Sequence, residues 1–368
     1  MKNQSRRRFI RNITVATVTA GTTGFPFITY GKPLSKQGKI GIALIGLGNY
    51  ATGELAPSLQ QTEKCYLAGI VTGTPSKEKI WADRYNIPQK NIYNYDNFDS
   101  IADNKDIDAV YVVLPNSMHK EYVIRAAKAG KQVLCEKPMA LNADECREMI
   151  AACKSAGVSL SIGYRLHYEP YNLEIAKIGE EERYGHIQNI NAADGFYMQR
   201  PTDQWRTKAA YGGGAMMDMG VYALQAARYA TGKEPISVSA QRFNPDPQNI
   251  SEVDETTTFQ LEFPGGTTAN CLASFGAQVN FLKINAMRGT YGLEPFMNYN
   301  GLHGFLPNGK TFDFDMPKRQ QALQMDSMCE AITEGRPSKT PGEEGLRDMV
   351  IVDAIKESCK QDGKKILL

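Results

Sequence analysis

The sequence predicts an α/β chain in two parts: a doubly wound parallel sheet, then an α+β unit with an open, mainly antiparallel sheet. Three observations predict it. From Lys39 onward short apolar runs alternate with helical stretches of about 10–15 residues, the pattern of a parallel sheet. A glycine turn, GLGNYA, joins the first such run to the first helix. Beyond residue 163 most of the apolar runs follow one another with no helix between them, which points to antiparallel pairing.

Taken in order, KIGIALIG is a short buried strand, followed by the GLGNYA turn and a helical stretch over about 51–61. YLAGIVTG is a second strand, SKEKIWADRYN a helix and DAVYVVLP a third strand. The helix of SMHKEYVIRAAKAGK ends at Gly130, and QVLCEKP is a fourth strand. NADECREMIAACKSAG is a helix stopped by Gly157, and VSLSIGY a fifth strand. In the second part HIQNINAADGFYM, PISVSAQRF, ETTTFQLEF, TTANCLASF and NFLKINAM are strands. GGGAMMDMGVYALQAARYATG is a glycine loop entering a helix that ends at Gly232, and two final helices, around 317–334 and 342–361, pack back on the body. The division is 1–38 as a leader and arm, 39–162 as the first domain and 163–368 as the second.

At 368 residues, 42% hydrophobic and 22% charged, the chain has the composition of a soluble protein with room for two cores. A formal net charge of +2 gives no reason to expect nucleic acid or an anionic membrane as partner. No apolar run reaches membrane-spanning length. The 7 cysteines are odd in number and none has CxxC spacing, so neither a metal site nor a redox motif is expected; one disulfide stays open. At the start, SRRRFIR places Arg6 and Arg7 after Ser5, with Phe9-Ile10 beyond and then the weakly apolar ITVATVTAGTTG. That order reads as a twin-arginine export signal and predicts a periplasmic protein. A general secretory signal or a basic cytoplasmic start are the alternatives, and no A-x-A sequence fixes a cleavage point.

Because the glycine turn follows a strand and opens a helix, it predicts a Rossmann-type dinucleotide site. Gly46 permits the tight turn, and Gly48, without a Cβ, lets a pyrophosphate approach the amides at the helix N-terminus. The second strand ends Val71-Thr72-Gly73-Thr74-Pro75-Ser76-Lys77, with no carboxylate to take a ribose 2′-hydroxyl. Thr72 and Lys77 suit a 2′-phosphate, so NADP is favoured over NAD, with a solvated helix charge as the plain reading of Lys77. CEKPMA puts Lys137 at the carboxyl edge of the parallel sheet, aimed by the following Pro138 through an extended or cis linkage. Asp218 and Tyr222, four apart, share a face near the start of the glycine-led helix among Met216, Met217, Met219 and Val221. Such a pair is either a satisfied buried hydrogen bond or a site.

GLGNYA, LPNSMH, CEKPMA, GYRLHYEP, QWR, GGGAMMDMGVY and PGEEG, in this order, resemble the glucose–fructose oxidoreductase/inositol dehydrogenase/MocA family from about residue 39 to the C-terminus. Within it the likeness is strongest to the glucose–fructose oxidoreductases, which share the tyrosine at 222 where most members have histidine. The resemblance implies that Tyr222 is the acid/base at a sugar hydroxyl or carbonyl, with Lys137 and Asp218 beside it. A phenol is a poor base at neutral pH, and an adjacent ammonium favours its ionised form. For the cofactor the resemblance implies Gly46, Leu47, Gly48, Asn49, Tyr50, Thr72, Lys77 and Tyr95. It adds Leu114, Pro115, Asn116, His119, Glu136, Lys137, Arg165, Trp205, Arg206 and Tyr299. A structural role is the plain alternative for Pro115-Asn116, Trp205 and His119, and proton transfer is not assigned to His119. A homo-dimer or homo-tetramer is implied as well. The arm after the leader is shorter than in glucose–fructose oxidoreductases, which weakens the expectation of tight cofactor retention.

The leading expectation is an NADP-containing enzyme that oxidises an aldose at C1 to the lactone and returns the hydride to a second sugar carbonyl. The alternatives are a sugar or glycoside dehydrogenase with dissociable NAD(P), and a non-catalytic nucleotide sensor. Sequence leaves open which sugar and which carbon react.

Overall fold

The computed structural model describes residues 38–199, 205–245 and 250–368; the predicted export signal and nearly all of the arm lie outside them. The first sheet has six strands: β1 (Ile40–Ile45), β2 (Cys65–Val71), β3 (Ile92–Tyr93), β4 (Ala109–Val112), β5 (Gln132–Cys135) and β6 (Leu160–Ile162). They run in the order β3-β2-β1-β4-β5-β6, and every pairing is parallel. The order reverses at β1, so a crevice opens beyond the carboxyl ends of β1 and β4, where such sheets bind ligands. Helices cover both faces, so β1, β4 and β5 are buried at every residue. That is why they read as continuous apolar runs.

A π-helical turn (Ala51–Leu55) and α1 (Ala56–Leu59) follow β1. The other helices of this part are α2 (Pro75–Tyr85), α3 (His119–Lys128) and α4 (Ala143–Ala156). Asn142 caps α4, its side chain accepting the Glu145 amide at 2.9 Å, and Gly157 closes it at φ +67°. In this stretch the two-residue edge strand β3 and α5 (Pro170–Glu180) are not expected from the sequence. The start of α5 is set by Glu169, whose carboxylate accepts the amides of Tyr171 and Asn172 ahead of a helix that opens with Pro170.

The second sheet comprises β7 (Ile187–Gly195), β8 (Ser237–Phe243), β9 (Thr256–Glu262), β10 (Thr268–Ser274), β11 (Val279–Ala286), β12 (Gly289–Leu293), β13 (Gly304–Phe305), β14 (Thr311–Phe312) and β15 (Ile366–Leu367). Its order is β14-β13-β12-β11-β7-β10-β9-β8-β15. Only the central β7–β10 pair is parallel, and β7 to β11 are the five strands expected from the sequence. In β9, Thr257, Phe259 and Leu261 are buried while Gln260 faces out, the alternation of a sheet with one covered face. A second π-helical turn (Met216–Gly220) leads into α6 (Val221–Thr231), which packs on β7 and β10 and ends at Gly232.

The last two helices are α7 (Gln320–Glu334) and α8 (Gly342–Lys360). α7 returns to the first sheet: Met325, Met328, Cys329 and Ile332 share a core with Ile40, Ile42, Leu44 and Ile70. Truncating one of these methionines to alanine costs about 2–5 kcal/mol by cavity formation. Thr340, between the helices, extends the edge of that sheet, its carbonyl accepting the Ile162 amide at 2.8 Å and its hydroxyl donating to the Ile162 carbonyl at 2.8 Å. The C-terminal segment thus ties the two parts together. All 7 cysteines are free thiols, and no helix among the described residues is long and apolar enough to cross a membrane.

Candidate active site

The glycine turn sits at the switch point of the first sheet. Gly46 has φ +93°, and a Cβ there would lie 2.3 Å from the Val113 carbonyl oxygen, so only glycine fits. A Cβ on Gly48 would meet nothing within 4 Å, because that position looks into the crevice. The first helical bond runs from the Thr52 amide to the Gly48 carbonyl at 3.0 Å, and the amides ahead of it remain for an anion at the positive end of the helix. Leu47 anchors the turn in the core, Asn49 is exposed and Tyr50 half-buried. Lys77 reaches across from α2 and donates to the Leu47 carbonyl at 2.7 Å. Thr72 is buried with its hydroxyl accepting the Thr74 amide at 3.2 Å, and the Tyr95 ring packs on Gly73. Open glycine backbone, helix amides and a lysine at the end of β2 fit a dinucleotide phosphate.

Beyond β4, Leu114 and Pro115 are half-buried, and Asn116 donates to the Gly212 carbonyl at 2.8 Å, fastening this turn to the glycine loop before α6. His119 corrects an expectation. Instead of facing a cofactor it is fully buried, with its ring nitrogens 3.0 Å from the Pro138 carbonyl and 2.9 Å from that of Leu114. Burial holds the imidazole below its ordinary pKa, despite both carbonyls. It is a brace that sets the loop carrying Lys137.

Lys137 is held by the segment that carries Asp218 and Tyr222, and further segments gather around that pair. Its ammonium donates to the Asp218 carbonyl at 2.7 Å and to Asp218 Oδ1 at 3.3 Å, and Arg206 Nε donates to Asp218 Oδ2 at 2.6 Å. The same ammonium lies 4.6 Å from the centre of the Tyr222 ring, an attractive cation–π distance. The Arg165 guanidinium is 5.0 Å from the Tyr222 ring and 4.5 Å from the Tyr299 ring, and Tyr50 lies 6.2 Å from Tyr299. Arg165 is itself buried and donates to the Met297 carbonyl and the Gln320 side chain. Glu136 accepts the Tyr111 hydroxyl at 2.6 Å, which in turn accepts from Gln324 of α7 at 2.7 Å. Trp205 packs under the Arg206 guanidinium at 4.6 Å. Asp218 and Tyr222 do share a face, but Asp218 lies in the π-helical turn rather than in the helix proper.

Charge is balanced inside this cluster. Burial on its own would raise the Asp218 carboxyl, but Lys137 and Arg206 outweigh it and hold the group below the usual range. Burial likewise disfavours the Lys137 ammonium, and the neighbouring Tyr222, Asp218 and Glu136 reverse that, leaving its pKa raised. Lys137 is therefore a fixed cation beside the phenol. Tyr50, Arg165, Glu136, Arg206 and Tyr299 thus fall around the Lys137–Asp218–Tyr222 cluster, whereas Thr72, Lys77 and Tyr95 gather at the end of β2.

The sequence reading left out three residues here. Gln320 and Gln324 hold Arg165 and Tyr111 from α7, a helix more than 150 residues away in sequence. Asp194, next to last in β7, has an exposure of 1%, and burial pushes its carboxyl up to about 8 although Lys137 and Arg165 oppose the shift. An acid inside the apolar strand run NAADGF was the available signal. Among the described residues no group of histidine, cysteine and acidic side chains is arranged to hold a metal.

Comparison with known proteins agrees with this geometry. The oxidoreductase family with an NAD-binding Rossmann fold matches residues 40–164, and the GFO/IDH/MocA C-terminal domain matches residues 172–291. The chain is 28% identical over 359 residues to a D-xylose 1-dehydrogenase [NADP(+)] of Haloarcula marismortui, covering 94% of this chain and 98% of that one. An uncharacterised oxidoreductase of Bacillus subtilis is 31% identical over 297 residues, with 77% and 84% covered. The crystal structure of an aldose–aldose oxidoreductase from Caulobacter crescentus superposes with a TM-score of 0.86 at 38% identity, covering 90% of this chain and all of that one. The chain therefore belongs to the GFO/IDH/MocA family and is an NAD(P)-dependent oxidoreductase.

Proposed function

We propose that the protein is a sugar oxidoreductase that oxidises an aldose at C1 to the lactone on bound NADP and passes the hydride to a second sugar carbonyl. The observation that carries this reading is the buried Lys137–Asp218–Tyr222 cluster, with the phenol ring 4.6 Å from a fixed ammonium, at the carboxyl edge of the nucleotide sheet. Tyr222 takes the proton from the sugar hydroxyl as hydride leaves the same carbon. Lys137 stabilises Tyr222 as the phenolate that receives this proton, and Asp218, held between Lys137 and Arg206, fixes the ammonium in place. The nicotinamide, when bound, supplies a reversible hydride acceptor, and the protein supplies alignment. The likeness to an aldose–aldose oxidoreductase over the whole length of that chain supports the coupled form of the reaction. Lys77 at the glycine turn, with no acid at the end of β2, supports NADP.

Export by the twin-arginine route and a periplasmic location belong to the same proposal, supported by SRRRFIR. Folding around the nucleotide before export explains why a recycled cofactor suits the reaction. Assembly as a homo-dimer or homo-tetramer is proposed from the family resemblance. A second reading, a C1 dehydrogenase with exchangeable NADP, is favoured by the likeness to D-xylose 1-dehydrogenase. To separate them, the protein is purified without added nucleotide, dialysed, and denatured to release its cofactor. Near-stoichiometric NADP supports the first reading, and an empty protein that needs added NADP supports the second.

A further inference from the structure

The sheet row that floors the site carries an acid with no assigned work. Asp194 pairs laterally with Ala273 of β10 on one side and with Asn280 of β11 on the other. Lateral partners in a sheet project to the same face. On the first side, Ala273 faces the π-helical turn: its Cβ would lie 3.2 Å from a Cβ placed on Gly220, two residues past Asp218. On the other side, Asn280 Oδ1 accepts the Phe296 amide at 2.8 Å and the Met297 amide at 3.3 Å. That segment's Met297 carbonyl receives Arg165, and Tyr299 follows two residues on. Asp194 therefore sits between the turn that holds Asp218 and the segment that holds Arg165.

Its Oδ2 is a buried oxygen with no hydrogen-bond partner among the described residues. The Gly195 amide bonds the carboxyl, but a buried oxygen left without a partner is costly, so one that faces a site is a candidate for pairing with a ligand. The charged groups facing it are Lys137 after β5, Arg165 after β6 and Asp218 in the π-helical turn. Burial exceeds the pull of the two cations, so near pH 7 the group is an un-ionised acid. An un-ionised carboxyl both gives and takes a hydrogen bond, as a sugar hydroxyl does.

We propose that Asp194 is a substrate-binding residue, its carboxyl group hydrogen-bonded to a hydroxyl of the sugar other than the one oxidised. The inference rests on the sugar reading above. In the test, binding of aldoses and their singly deoxygenated analogues to NADP-loaded protein is measured by calorimetry for the wild type, Asp194→Ala and Asp194→Asn. One deoxy position is expected to weaken wild-type binding about 10- to 100-fold, as loss of a buried hydrogen bond does, and to weaken Asp194→Ala no further. Asp194→Asn is expected to recover part of the parent sugar's affinity, and NADP binding is expected to be unchanged in both variants. Deoxygenation costs that are the same in wild type and both variants at every position overturn the proposal. A wild type that binds no aldose overturns instead the sugar reading on which it rests. Should Asp194→Ala fail to fold, the comparison with Asp194→Asn alone decides, because a purely structural role would not single out one hydroxyl.

Discussion

The glycine turn and the Lys137 cluster lie in one crevice and are built in opposite ways. The turn is local backbone: Gly46 to Tyr50 make it within a few residues, and its recognition groups are amides open to the crevice. The cluster is non-local and buried: Lys137 and Asp218 are 81 residues apart, and each charge is tolerated only because the other segment supplies its partner. Changes in the turn should therefore act through backbone conformation. Changes in the cluster should act through charges and protons.

Tyr222→Phe is the strongest test of that contrast. Turnover is expected to fall about 10²- to 10⁴-fold, the span of a lost acid/base, while NADP binding stays intact. Single-turnover absorbance of the nicotinamide checks it, and undiminished turnover removes Tyr222 from its role. In the turn, Gly46→Ala is expected to lower stability by about 1–3 kcal/mol through strain and the clash with Val113. Gly48→Ala, whose Cβ meets nothing within 4 Å, is expected to leave unfolding unchanged and weaken NADP about 10-fold or more. Chemical denaturation with a nucleotide titration separates the two, and equal effects on folding would break the contrast.

Two buried carboxyls at the cluster, Asp218 and Asp194, should respond to pH with opposite signs. Asp218 is held below its unfolded value, so the stability it contributes is present above about pH 4 and lost as pH falls through its folded pKa. Asp194 is raised to about 8, so its burial lowers stability progressively as pH rises from about 4 toward 8. Denaturation curves across pH should show Asp218→Asn flattening the acid side and Asp194→Asn the neutral to alkaline side. A smaller effect is expected at the rim: Lys77→Ala should reduce preference for NADP over NAD by about 10-fold with folding unchanged, read from the two binding constants.

What could be read from sequence divides along the same line. GLGNYA, CEKPMA and the caps at Gly157 and Gly232 announce themselves because their physics is local: a turn, an edge, a helix end. Strands buried on both faces read as apolar runs, so the parallel sheet was visible except for the two-residue β3. β12 to β15, short or turn-like in composition, carried too little alternation to register. His119 was misplaced because its burial depends on carbonyls from Leu114 and Pro138, which only the folded chain brings to it. Asp194, Gln320 and Gln324 were missed for a related reason. Their importance comes from what faces them across two sheets and a returning helix, and no spacing along the chain encodes that.

In the proposed reaction one buried cluster oxidises one sugar and reduces another on a retained cofactor. Purified protein, with no nucleotide added, is mixed with an aldose alone and then with an aldose and a second aldose or ketose, and lactone is quantified. Continuous lactone formation only in the paired mixture, lost in Tyr222→Phe, is the predicted result. Turnover that stops without added NADP in every mixture, and resumes with one sugar once NADP is supplied, would contradict it.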